Sequence, residues 1–196
     1  MPVVATMSEH RPLPQSSRQP APAVAPDPGR SHRLPALLLA AGLVSLSATI
    51  ALPPAPRLIW NASASAPVGL YAVSANAPLR RGDMLFAFAP PPARELAARR
   101  HYLPRNVPLL KRVAAMEGDR ICARNLEVSV NGRIAAIRHR SDRMGRSLPA
   151  WQGCFTLTVD QLFLLMTDSP DSFDGRYFGA TETHQIVGRA TALWLP

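Results

Sequence analysis

Lysine is nearly missing from this chain. Among 22 lysine and arginine residues there is a single lysine, Lys111. Arginine keeps its proton under ordinary conditions, whereas an amine can release one when desolvated, so the chain sets apart one deprotonatable cation. Cysteine is almost as scarce. Cys122 and Cys154 are the two, which excludes a disulfide-built scaffold and a thiolate zinc cluster but leaves room for one bridge, open on spacing alone. No His-Glu-x-x-His or Cys-x-x-Cys spacing occurs, so neither a metal nor a cofactor is expected. The five histidines, His10, His32, His101, His139 and His184, sit in no Gly-x-Ser-x-Gly context, and a serine-histidine-aspartate triad has no partners to nominate. There is no internal repeat. Aromatic residues make up 6% of the chain and form no stacking pattern, and no helix-turn-helix or zinc motif accompanies the scattered arginines. A net charge of +9 therefore reads as attraction to an anionic membrane surface, not as nucleic-acid binding.

What the chain does have is proline, 21 residues in all, clustering towards an N-terminal segment, residues 1 to 33, that lacks apolar periodicity. That segment is expected to be a disordered tail. Next comes LPALLLAAGLVSLSATIAL, residues 34 to 52, without a charge. At ~1.5 Å per residue it covers roughly the ~30 Å hydrocarbon core, so one transmembrane helix is expected. The tail carries Arg11, Arg18, Arg30 and Arg33 against Glu9 and Asp27. That bias places the N-terminus in the cytoplasm and residues 53 to 196 outside the bacterial inner membrane, as a single-pass, periplasmic domain. A cleaved signal peptide ending at Ala62-Ser63-Ala64 is the rival reading, disfavoured because the apolar run is long and the small-x-small site lies well beyond it.

The exported part reads as β-rich. Residues 53 to 66 form a linker, and PVGLYAV, RRGDMLFAFAP, VPLLKRVAAM, RICAR, CFTLTV, QLFLLMTD and QIVGRATALWL read as strands between turn signals. Asn131-Gly132 inside LEVSVNGRIAAI predicts a two-residue hairpin. ARELAARRHYL, residues 93 to 103, suggests one short helix. About eight short strands with little helix imply a mainly β, antiparallel domain.

Lys111 sits inside the apolar run VPLLKRVAAM. Leu109, Leu110 and Val113 would surround its amine with low dielectric, disfavour its charged form and leave a neutral base. An edge-strand lysine with its head in water is the competing reading, and being the only lysine beside an arginine tilts the balance. Ser65, in SASAPVGLY, lies between small alanines and ahead of a proline that keeps Ala66 extended. It is exposed but held.

NASASAPVGLY, LLKRVAAMEGDRI and TDSPDSFDGRYFG, in that order behind an apolar helix, resemble the signal peptidase I superfamily and in particular TraF-type conjugative transfer signal peptidases. The resemblance covers residues 36 to 196. It implies Ser65 as nucleophile, Lys111 as general base, and Ser63 together with the Ser65 amide as oxyanion donors. It also implies Ser172 as a hydroxyl orienting the amine, and Asp174 as a third functional carboxylate paired with Arg176. On an extended chain residues i and i+2 share a side, which would let that pair form. The chain has Ser-Ala-Pro where general leader peptidases have Ser-Met-x-Pro, and this departure points to the transfer-specific branch. The implied partner is a protein or peptide substrate, a pilin precursor or a leader-bearing exported protein, cleaved through an acyl-enzyme or, for a pilin, cyclised. Two other readings compete: a membrane-anchored assembly factor that keeps the fold without the activity, and a cytoplasmic self-cleaving regulator, which the apolar segment argues against.

Overall fold

The computed structural model describes residues 33–51, the side chains of the last three excepted, and residues 57–196. The chain divides between Leu52 and Pro53. The expected tail lies outside the described residues apart from Arg33. In the first unit, helix α1 spans Arg33–Ala51, and Leu34, Leu37, Leu38, Leu39, Leu43 and Val44 are exposed around its circumference. Among the described residues no helix is long and apolar enough to cross a membrane. The expected span runs on through residues 49 to 52, whose side chains lie outside the described residues.

The second unit is mainly antiparallel β. Its strands are β1 (Leu58–Asn61), β2 (Gly69–Ser74), β3 (Met84–Ala87), β4 (Leu109–Ala115), β5 (Arg120–Arg124), β6 (Glu127–Val130), β7 (Arg133–Ile137), β8 (Gly153–Thr156), β9 (Gln161–Leu165), β10 (Thr181–Glu182) and β11 (Ile186–Trp194). Two short helices, α2 (Pro91–Arg99) and α3 (Gly175–Phe178), interrupt them. A seven-stranded sheet has the order β1-β2-β11-β3-β4-β9-β10, and a four-stranded sheet the order β7-β6-β5-β8. The described strands number eleven, not about eight, because β1 forms inside the expected linker, β10 is only two residues long and the hairpin supplies two. Leu58 to Asn61 pair with Ala72 to Gly69, so an isolated apolar Leu-Ile-Trp gains its order from a neighbour, which composition does not register.

Local chemistry accounts for the punctuation. The prolines after β3 cannot donate to a ladder, and they open α2, where Pro91 fills a first-turn position that needs no N–H. Asn131 and Gly132 both take positive φ, 50° and 79°, giving the type I′ turn that matches strand twist. β9 is buried on both faces: Phe163 and Leu165 join one core cluster with Ile121 and Val128, and Leu162 and Leu164 another with Leu85 and Val113. Each such side chain contributes about 1.5–3 kcal/mol, and the first cluster fastens the two sheets together. Cys122 and Cys154 face each other in the β5–β8 register and form a disulfide.

Candidate active site

The site begins with a buried asparagine. Asn61, the last residue of β1, is 6% exposed. Its Oδ1 accepts from the Ser63 amide at 3.1 Å, and its Nδ2 donates to the carbonyls of Ser63, Ala66 and Pro67 at 3.1, 3.2 and 2.9 Å. Two N–H bonds serve three acceptors, so one is shared. Tyr71 adds a second clamp, its hydroxyl donating to Pro67 O at 2.8 Å. Residues 62 to 67 are thereby folded back against the end of β2 and cannot sample the extended states open to a serine-alanine linker. The N-terminal half of this device was legible as Asn-x-Ser, a pairing that favours an Asx turn; the sequence reading passed over it. A chain cut after Ala64 would lose β1, Asn61 and Ser63 together, which weighs against that alternative.

The held loop presents Ser65 to Lys111. The Lys111 amine lies 2.8 Å from Ser65 Oγ, although the two are 46 residues apart in sequence. β4 runs between β3 and β9, with Lys111 opposite Leu85 in register, and this central position leaves Lys111 only 2% exposed. Burial lowers its pKa from 10.5 to about 8, with Asp174 pulling it up and Arg176 pushing it down. An amine so poised is within reach of its neutral form near neutral pH and can take the proton of a hydroxyl at hydrogen-bond distance. The Ser63 hydroxyl stands 3.0 Å from Ser65 Oγ and 3.4 Å from the Ser65 amide. The Ser65 N–H thus donates to Ser63 Oγ, and the two hydroxyls share a hydrogen bond.

Asp174 and Arg176 are buried, 0% and 2% exposed, but not on an extended strand. Asp174 caps α3, its side chain accepting from the Arg176 amide, and the side chain of Arg176, in the first turn of α3, folds back onto the capping carboxylate. Asp174 Oδ1 accepts from Arg176 Nε at 2.8 Å, and Oδ2 from Arg176 Nη2 at 3.1 Å and the Met166 amide at 3.0 Å. Arg176 spends its remaining donors on the carbonyls of Met166, Ser169 and Pro170. The pair thus pins residues 166 to 176 and acts on Lys111 through charge, without a hydrogen bond to it. Gly175 permits this close approach, since a Cβ there would stand 2.8 Å from Leu164 O and 2.9 Å from the Phe163 ring. Ser172 is buried and its hydroxyl has no hydrogen-bond partner among the described residues. The expected contact to the amine is not made: the Lys111 amine is bonded to Ser65 Oγ and not to Ser172.

Ser65 and Lys111 line a groove of about 1260 Å³. Its far wall is knitted by Asp142. Burial would raise that carboxyl, but hydrogen bonds from Tyr102, Arg146 and the Met144 amide hold it far below the usual carboxylate range. Phe173 packs edge-on against Tyr102 and stacks on Tyr177, which ties the wall to α3.

Comparison with known proteins bears on the family of the chain. Residues 30–195 match the family described as signal peptidase, peptidase S26. Two plasmid transfer proteins TraF of Escherichia coli are similar to the chain. One is 35% identical over 138 residues, which is 65% of this chain and 77% of the relative. The other is 33% identical over 172 residues, 81% and 90% respectively. Among solved structures, a signal peptidase I from Enterococcus faecalis V583 aligns at 19% identity over 59% of this chain and 98% of its own, with a TM-score of 0.35.

Proposed function

The chain belongs to the signal peptidase family, peptidase S26, and from that premise we propose that it is a membrane-anchored serine endopeptidase acting on exported protein substrates during conjugative transfer. The observation that carries this reading is the 2.8 Å contact between the buried Lys111 amine and Ser65 Oγ. Neutral Lys111 removes the Ser65 proton as Oγ attacks the scissile carbonyl. The Ser63 hydroxyl and the Ser65 amide hold the oxyanion, each such donor lowering the barrier by ~3 kcal/mol. The lysine ammonium then protonates the leaving amine. The acyl-serine ester is released by water, or by the amine of a pilin precursor, which closes a ring. Similarity to two plasmid transfer proteins supports the conjugative setting.

Anchorage is part of the proposal. Residues 34 to 52 carry no charge, and the leucines of α1 are exposed on several sides of the helix, which suits contact with lipid. With arginine ahead of the span, the β-domain faces the periplasm. The test is to express wild type, Ser65→Ala and Lys111→Arg with a pilin precursor and weigh the products by mass spectrometry. Wild type is expected to cut and both variants to leave the precursor whole. Equal processing by all three would remove the peptidase reading and leave the assembly-factor alternative.

A further inference from the structure

A second cavity, of about 370 Å³, lies away from the groove and is lined by Arg81, Arg112 and Arg133 together with Val130, Ile134 and Leu165. Its arginines come from separate places in the fold: the turn before β3, the middle of β4 and the start of β7. Arg112 follows Lys111 directly, so alternation along β4 turns its side chain to the opposite face from the amine. No aspartate or glutamate is among the described residues lining the cavity. The charges are unevenly answered. Arg81 pairs with Asp119 at 2.6 Å, and Arg112 gives one N–H to the Gly82 carbonyl at 2.9 Å. Among the described residues Arg133 has no side-chain hydrogen bond or ion pair. Gathering three guanidiniums without a lining carboxylate raises their mutual repulsion, and a bound oxyanion relieves it through charge-assisted, forked hydrogen bonds. The cavity is not purely polar. Ile134, 61% exposed, stands at its rim on the edge strand β7, with Val130 and Leu165 below.

We propose that this cavity binds the phosphate of an acidic phospholipid, with Arg112 and Arg133 on the phosphate and Ile134 against the start of an acyl chain. The apolar strip beside the cations is what favours a phosphate that carries a hydrocarbon tail over a free one.

The test uses the full chain in a neutral detergent, titrated with phosphatidylglycerol or phosphatidylcholine of equal chain length, and lipid retention read by native mass spectrometry. Phosphatidylglycerol is expected to bind and phosphatidylcholine to be lost. Arg133→Gln, an exposed and unpartnered site whose change leaves the fold intact, is expected to weaken binding at least fivefold. The double variant Arg112→Gln/Arg133→Gln is expected to weaken it further, and Arg124→Gln on β5, outside the cavity, to leave it unchanged. Equal weakening by Arg124→Gln would mean diffuse attraction and overturn the site, as would no effect of Arg133→Gln. Displacement of the lipid by inorganic phosphate at matching concentration would show a small-anion site and overturn the lipid assignment.

Discussion

Asp174 and Arg176 form a buried, two-pronged ion pair, Nε to Oδ1 at 2.8 Å and Nη2 to Oδ2 at 3.1 Å, and the Lys111 amine feels both charges with opposite sign. Its hydrogen bonds hold the chain locally, and its two charges act on the amine in opposite directions. Because the carboxylate raises the lysine's proton affinity while the guanidinium lowers it, changing either partner shifts the base as well as the fold.

Asp174→Asn separates those two effects. It leaves Arg176 buried without a counter-charge, so chemical denaturation should show a loss of about 3–5 kcal/mol. It also removes what holds the Lys111 pKa up, so in whatever fraction stays folded the rising limb of the pH–rate curve should move to lower pH. A variant with the wild-type limb would show that Asp174 does not reach the base.

For wild type, kcat/KM is expected to climb with pH as Lys111 loses its proton, with a midpoint near 8. The same shift governs stability. Lys111 titrates near 8 when folded and near 10.5 in its ordinary state, so the folded chain holds fewer protons between those values and stability rises with pH across that window. Below 8 the handicap is at its full size, about 3 kcal/mol. Lys111→Met should therefore be more stable than wild type at pH 7 by about that amount and lose its advantage by pH 11, measured by denaturant unfolding at both. A constant difference would contradict the buried-amine argument.

Asn61 offers a test of the loop that carries Ser65. Asn61→Ala should lower kcat about 100-fold by letting the serine drift by an ångström or so, with little change in KM. Asn61→Asp should destabilise more than alanine does, since a carboxylate would face the three carbonyls that Nδ2 now satisfies. Greater stability for aspartate than for alanine would refute that hydrogen-bond assignment.

The Cys122–Cys154 bridge closes a loop of 32 residues in sequence separation, worth about 3–4 kcal/mol on a chain-entropy account. Replacing both by serine should lower the melting temperature by several degrees. It lies in the four-stranded sheet, away from Ser65, so kcat should stay within twofold of wild type. A large fall in kcat with unchanged stability would place the bridge in the wrong role.

Lys111 stood out in the order of residues as a lone amine in an apolar run, and Ser65 as a serine between alanines ahead of a proline; the parts assigned to Ser63, Ser172, Asp174 and Arg176 came only from the family resemblance. The Asn131-Gly132 turn was legible in the residues themselves, since its backbone angles suit those two residues. What tertiary structure alone decided was distance and environment. β1 exists because β2 offers it a ladder. Asp174 meets Arg176 through a helix cap, not an extended strand. Ser172 is left without the partner expected of it. The Arg81, Arg112 and Arg133 cluster is invisible in sequence, where its members are spread over 53 positions. The physical reason is that side-chain type is a local property of the chain, whereas burial, and with it the lowered proton affinity of Lys111, belongs to strands that meet only when the sheet closes.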